Sequence, residues 1–296
     1  MTFKPILAAL ALLSAAAPAH AQEVRAQEPW KLVWSDEFDG DRLDQNKWTY
    51  AADCGGGGND ERQCYAVSPD TVSVGGGLLK LTTIKRKTEG LANPWAGPTG
   101  PMKTGDYASG KILTKGKASW RYGRVEARAR VPGGQGVWPA IWMMPEREIY
   151  GGWPRSGEID ILETVNLGAP CGSCEGGREN RVFGTIHFAG DANGGHKQVG
   201  KSTPMPASSD GFHVYGIEWS PEAILWFVDG QRYAEAKAAD WKRDDREGAP
   251  FDQPFHLILN LAFGGRWPEG ANAKGVDETA LPATMEVDWV RVSQKP

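Results

Sequence analysis

From Trp30 onward, short stretches of alternating or wholly apolar residues recur along the chain, parted by clusters of Gly, Pro and Asp. Residues 78–84, 108–114, 124–131, 137–144, 158–164, 182–189, 212–219, 223–228, 255–261 and 284–292 each read as a β-strand. Within residues 124–131 (Arg-Val-Glu-Ala-Arg-Ala-Arg-Val), polar and apolar side chains alternate strictly, as in an antiparallel strand with one face in a core. The run Ile224-Leu225-Trp226-Phe227-Val228 leads into Asp229-Gly230, a strong hairpin signal. A helical pattern occurs only around residues 233–242, and it is short. Neither an internal repeat nor a compositional break separates a second domain. So many strands in one uninterrupted segment predict an all-β fold of two packed antiparallel sheets, a sandwich or jelly roll.

The start of the chain follows a different pattern. Lys4 precedes the apolar run Ile6-Leu7-Ala8-Ala9-Leu10-Ala11-Leu12-Leu13, and Ala17-Pro18-Ala19-His20-Ala21 supplies an A-x-A cleavage motif. That run is too short to span a bilayer, so residues 1–21 are expected to be an export signal, 22–29 a polar linker and 30–296 one domain. Export makes the redox state of Cys54, Cys64, Cys171 and Cys174 matter. Disulfides are expected, with the local pairs Cys54–Cys64 and Cys171–Cys174 preferred and cross-pairing between the two glycine-rich loops left open. A redox Cys-x-x-Cys lacks its βαβ setting here, and a four-cysteine zinc site lacks a second pair at ligand spacing.

Composition narrows the partners. A net charge of −4 offers nothing to a polyanion, so nucleic acid is not an expected partner. The 13 Trp exceed ordinary core demand, and aromatic faces suit sugar rings. The sharpest chemistry lies in Ser156-Gly157-Glu158-Ile159-Asp160-Ile161-Leu162-Glu163-Thr164, three carboxylates interleaved with large apolar side chains. Glycosidic hydrolysis needs two carboxyl groups flanking the scissile bond, and a third acid nearby raises a neighbour's pKa. A solvated surface strand would also carry such acids. An EF-hand calcium loop is not matched. Upstream, Trp138 and Trp142 share a strand face, with Trp153 close behind.

Glu158-Ile159-Asp160-Ile161-Leu162-Glu163 matches the E-x-D-x-x-E signature of glycoside hydrolase family 16, and the chain most resembles its laminarinase-type endo-β-1,3-glucanases. The resemblance extends through Val33-Trp34-Ser35-Asp36-Glu37-Phe38, Tyr122-Gly123-Arg124-Val125-Glu126-Ala127-Arg128, Trp138-Pro139-Ala140-Ile141-Trp142, residues 255–265 and Val287-Asp288-Trp289-Val290-Arg291-Val292. It implies a jelly roll with a concave cleft for polysaccharide, Glu158 as nucleophile, Glu163 as general acid/base and Asp160 as the acid between them. It also places Trp138, Trp142 and Trp153 along the cleft, with His187, Arg124 and Glu126 as polar contacts. A structural calcium is implied at Asp288 with backbone oxygens near Glu37 and Gly76; no catalytic metal is. The expected substrate is β-1,3-glucan, then mixed-linkage β-1,3/1,4-glucan, acted on by a monomer with no membrane span. Alternatives are a galactan hydrolase or transglycosylase of the same family, or a β-glucan-binding protein without activity. The loops 54–64 and 167–181 are expected to border the cleft.

Strand parity adds one demand. Glu158 and Asp160 share a face, but Glu163, five residues beyond Glu158, would point away. A β-bulge at Ile161–Leu162 restores the match, and with it a retaining mechanism.

Overall fold

The alternating stretches pair into two stacked sheets in a computed structural model that describes residues 29–94, 99–191, 193–206, 211–242 and 248–296. Residues 1–21, read as an export signal, lie outside the described residues, as does the 22–29 linker apart from Pro29. Among the described residues, one sheet has ten strands: β1 (Lys31–Asp36), β3 (Gln63–Tyr65), β4 (Val72–Gly75), β5 (Leu78–Leu91), β6 (Met102–Ser109), β8 (Gly123–Arg130), β13 (His213–Trp219), β14 (Ala223–Val228), β15 (Gln231–Lys237) and β17 (Ala283–Gln294). The other has seven: β2 (Thr49–Tyr50), β7 (Lys111–Leu113), β9 (Val137–Pro145), β10 (Glu158–Glu163), β11 (Arg181–Ala189), β12 (His196–Pro204) and β16 (Phe255–Phe263). The seven run in the order β12-β11-β10-β9-β16-β7-β2, all antiparallel. Residues 108–114, expected as one strand, are two, because the chain passes from one sheet to the other at Gly110.

Between the sheets lies one continuous core. β8 contributes Val125, Ala127 and Ala129, β13 contributes Tyr215 and Ile217, and the seven-stranded sheet contributes Ile141, Ile159, Ile186 and Leu259. Trp48, Trp219, Trp226 and Trp241 are fully buried, each worth roughly 1.5–3 kcal/mol or more of burial. Much of the tryptophan content is therefore core rather than sugar platform.

The helical pattern at residues 233–242 is mostly strand. β15 pairs with β14 through a turn in which Asp229 and Gly230 both have positive φ, and only Ala238–Trp241 (α1) is helical. Ala234 and Ala236 point inward while Glu235 and Lys237 stay exposed, so the hairpin's alternation overrides local helix preference.

Arg124 and Glu126 are not at the cleft. β8 lies in the ten-stranded sheet, and because its small apolar residues face the core, its charged residues must face outward. There Arg124 pairs with Glu126 at 2.8 Å, Arg128 with Asp288 at 2.5 Å and Arg291 with Glu37 at 2.7 Å. The same pairs bear on calcium. Asp288 already faces a guanidinium and Glu37 is held through both oxygens by Arg291, while Gly76 sits in the β4–β5 turn. A cation at Asp288 would meet the charge of Arg128, so these residues as arranged do not fit one.

Both local cysteine pairs are bonded, Cys54 to Cys64 and Cys171 to Cys174. No helix among the described residues is long and apolar enough to cross a membrane.

Candidate active site

β10 carries the three acids, and its pairing slips where parity demands. Against β11, Asp160 pairs with Thr185 and Glu163 with Phe183, three steps against two; against β9, Asp160 pairs with Trp142 and Leu162 with Ile141, two steps against one. One extra residue is thus absorbed at Ile161–Leu162, and both of those side chains are in the core. Glu158, Asp160 and Glu163 consequently all line one cleft of about 830 Å³ on the outer face of the seven-stranded sheet.

Each acid has its own partner. Trp153 Nε1–H donates to Glu158 Oε2 at 2.6 Å, and Trp138 Nε1–H donates to Glu163 Oε1 at 3.0 Å. His187 Nε2 stands 3.1 Å from Asp160 Oδ2, within ion-pair reach but off the line of a hydrogen bond. Its Nδ1 lies 2.8 Å from His196 Nε2 on β12, so one of the two histidines donates there. His196 packs on Trp153 at 4.8 Å between centroids.

Burial, and then the charge of Asp160, pushes Glu158 up to about 8, against the pull of His187 and the Trp153 N–H. Burial raises Asp160 to about 7. Burial raises Glu163 well above the ordinary glutamate range, with Asp160 adding to it and the Trp138 N–H opposing. Three like charges this close, one of them fully buried, cannot all persist near neutral pH, so the cluster retains protons there.

The tryptophans divide their work. Trp142 and the half-exposed Trp153 offer ring surface to the cleft, whereas Trp138 is 8% exposed, packed edge-on to Trp267, with its N–H committed to Glu163. Strand parity correctly put Trp138 and Trp142 on one face, but burial makes Trp138 a support for the acid more than a platform.

The glycine-rich loop 54–64 borders the cleft through Gly55, Gly57, Gly58, Asn59 and Glu61; the loop 167–181 contributes nothing to the lining, since it folds back on itself through Gly168–Glu179 and Cys171–Gly177 backbone bonds. Beyond the loop 54–64, sequence reasoning missed Tyr65, Lys111, His196, Asn260 and Trp267. Asn260 was findable: in an otherwise nearly all-apolar β16 it shares a face with His256 four residues earlier, and it accepts from Trp142 Nε1 at 2.6 Å. The others sit on short or outer strands (Tyr65 on β3, Lys111 on β7, His196 on β12) or on the short helix Arg266–Gly270 (Trp267), whose approach to the cleft no local pattern encodes.

Among the described residues, two clusters bring three metal-ligating side chains together, Glu158–Asp160–His187 and Cys171–Cys174–Glu179. In the second, both sulfurs are spent in a disulfide. In the first, the donors are the Glu158 and Asp160 carboxyls and the His187 imidazole, one atom from each within 4.8 Å of the others.

The arrangement can do one kind of chemistry well: two supported glutamates on one face, an acid between them and aromatic rings beside them suit proton transfer and attack at an acetal carbon. Known proteins agree. A family model described as the GH16 domain of β-porphyranases A–D matches residues 30–294. A β-glucanase of Rhodothermus marinus is 43% identical over 89% of this chain and 85% of its own length. Glucan endo-1,3-β-glucosidase A1 of Niallia circulans is 37% identical over 88% of this chain and 37% of that longer protein. The X-ray structure of the Rhodothermus marinus laminarinase superposes with a TM-score of 0.76 at 40% identity, covering 92% of this chain and all of that one. With its cleft, its carboxylate triad and these matches, the chain belongs to glycoside hydrolase family 16.

Proposed function

We propose that this chain is an exported, monomeric, endo-acting β-1,3-glucanase working with retention of configuration, and that it also accepts mixed-linkage β-1,3/1,4-glucan. The observation that carries the reading is the bulge in β10, which puts Glu163 on the same cleft face as Glu158. Glu158 attacks the anomeric carbon while Glu163 protonates the departing glycosidic oxygen. A glycosyl ester on Glu158 results. Glu163, now ionised, takes a proton from water, which displaces the ester with a second inversion. Asp160 lies between them and disfavours a second negative charge, which keeps the proton on Glu163 until a leaving oxygen needs it. Trp153 N–H favours ionised Glu158, the form that attacks. Export is supported by the signal-like residues 1–21 and by the two disulfides.

A second reading, cleavage of a galactan such as porphyran, is favoured by the description of the matching family model. The cleft's charge argues against a sulfated chain. Its lining holds Asp53, Glu61, Glu158, Asp160 and Glu163 against Lys111, whose ammonium is engaged over the Tyr65 and Trp142 rings at 5.1 and 5.4 Å. A reducing-sugar assay on laminarin, mixed-linkage glucan, agarose, carrageenan and porphyran, run side by side, tests this. Laminarin should be cleaved fastest; faster release from any galactan overturns the assignment.

A further inference from the structure

Trp226 belongs to β14 of the ten-stranded sheet and is fully buried, which by itself marks a core residue. Its indole, however, spans the interior. Nε1–H donates to the main-chain oxygen of Asp160 at 2.7 Å, on the opposite sheet. That carbonyl begins the segment where β10 slips register against both neighbours. A bulge disrupts the ladder, and a buried backbone oxygen left without a donor destabilises the arrangement that strands it. The tryptophan supplies a donor to the Asp160 oxygen from outside the sheet.

A second feature keeps the indole's route open. On β11, beside the slip, stands Gly184, and a Cβ there would fall 2.3 Å from Trp226 Cδ1, 2.6 Å from its Nε1 and 2.5 Å from the Tyr233 hydroxyl. Neither a sheet nor a core needs glycine at that place, and in a strand interior it weakens pairing. What needs it is the passage of the indole, with the Tyr233 hydroxyl beside it. Trp226 and Gly184 thus form one device, a donor reaching across the sandwich and a gap in β11 that admits it.

We infer that Trp226 is a positioning residue for glycoside cleavage. By holding the Asp160 carbonyl it fixes the extra residue between Asp160 and Glu163, and so keeps Glu163 aimed into the cleft. Glu158 precedes the slip and does not depend on it. The inference rests on the assignment of Glu163 as the acid, and it predicts a selective defect. Proton delivery to the leaving oxygen suffers; nucleophilic attack does not.

The test compares Trp226→Phe and Gly184→Ala with a matched control, Trp219→Phe, which also removes a buried indole bond, Nε1–H to the Phe251 oxygen at 3.1 Å. Two substrates are used: laminarin, whose leaving oxygen needs a proton, and 2,4-dinitrophenyl β-laminaribioside, whose dinitrophenolate leaves without one. For Trp226→Phe and Gly184→Ala, kcat on laminarin should fall about tenfold or more with KM little changed, since misplacing a catalytic group by a fraction of an ångström has that scale of cost. kcat/KM for dinitrophenolate release, which reports only the steps up to the glycosyl ester, should stay within roughly threefold of wild type, and Trp219→Phe should keep both activities while losing a comparable amount in Tm. Parallel losses on the two substrates, or no loss in the Trp226 and Gly184 variants, overturn the inference. Glu163→Gln in the same assay separates the two ideas: if it shows no selectivity for the activated substrate, the acid assignment fails, whatever Trp226 does. Hydrogen exchange of the indole N–H in the unaltered protein adds an arm independent of any variant's folding. Exchange at Trp226 as slow as at Trp219 is expected, and fast exchange overturns the bond.

Discussion

Replacing Trp153 by Phe removes the indole N–H while keeping a smaller aromatic face beside His196. The lost interaction is the indole N–H donated to Glu158 at 2.6 Å. A hydrogen bond to a charged group contributes about 1.5–3 kcal/mol, and because Trp153 is 50% exposed, water replaces part of it. The lower end, roughly 1.4 kcal/mol, corresponds to about one pKa unit. The N–H stabilises ionised Glu158, so its loss raises a pKa that already stands at about 8. Attack requires the ionised form. The acid limb of the pH profile for kcat/KM should therefore move upward by about one unit. Well below the limb the variant is about tenfold slower than the parent, and above it the two converge, since the ring that remains still offers a stacking face. The assay is laminarin hydrolysis followed by reducing ends across the pH range. An unmoved acid limb, or a loss of equal size at every pH, would refute the electrostatic role and leave Trp153 as a platform alone.

Other outcomes follow from the same geometry. The folded pKa of Glu158 lies above its unfolded value, so the folded chain keeps a proton the unfolded chain has released, and stability falls as pH rises from about 4.5 toward about 8. Glu158→Gln should accordingly melt higher than wild type at about pH 8 and show no such advantage near pH 4, by calorimetry, while losing nearly all activity. Replacing both Cys54 and Cys64 by Ser opens a loop whose ends are 10 residues apart and should cost about 3 kcal/mol in denaturant unfolding; no change would mean the loop is held by its contacts alone. Arg124→Ala should leave kcat and KM on laminarin within roughly twofold, because its ion pair lies on the outer face of the other sheet; a large rise in KM would put that face in contact with substrate.

The chemistry of this site was legible in the sequence to the extent that it is local. Alternation located β8, β9, β10 and β17, and simple parity required an irregularity between Asp160 and Glu163 that the pairing of β10 contains. Alternation could not say which sheet a strand joins. Arg124 and Glu126 look the same on paper whether their face meets substrate or solvent, and the pairing of β8 with β13 and β17 decides for solvent. Tryptophan is similarly ambiguous. Trp138, Trp153 and Trp226 each donate an N–H to β10, yet one is nearly buried on the cleft side, one half-exposed and one inside the core. Those roles depend on contacts between residues as far apart in the chain as 160 and 226, beyond any window of local pattern.

The extra residue in β10 brings Glu158 and Glu163 to one face, and with Glu158 as the nucleophile hydrolysis should proceed through a glycosyl-enzyme and return the original configuration. Proton NMR of the first products released from laminarin, read before mutarotation mixes the anomers, tests this most directly. The β-anomer should appear first and convert slowly to the equilibrium mixture. Initial release of the α-anomer would mean a single displacement by water, and would contradict the roles assigned to Glu158 and Glu163.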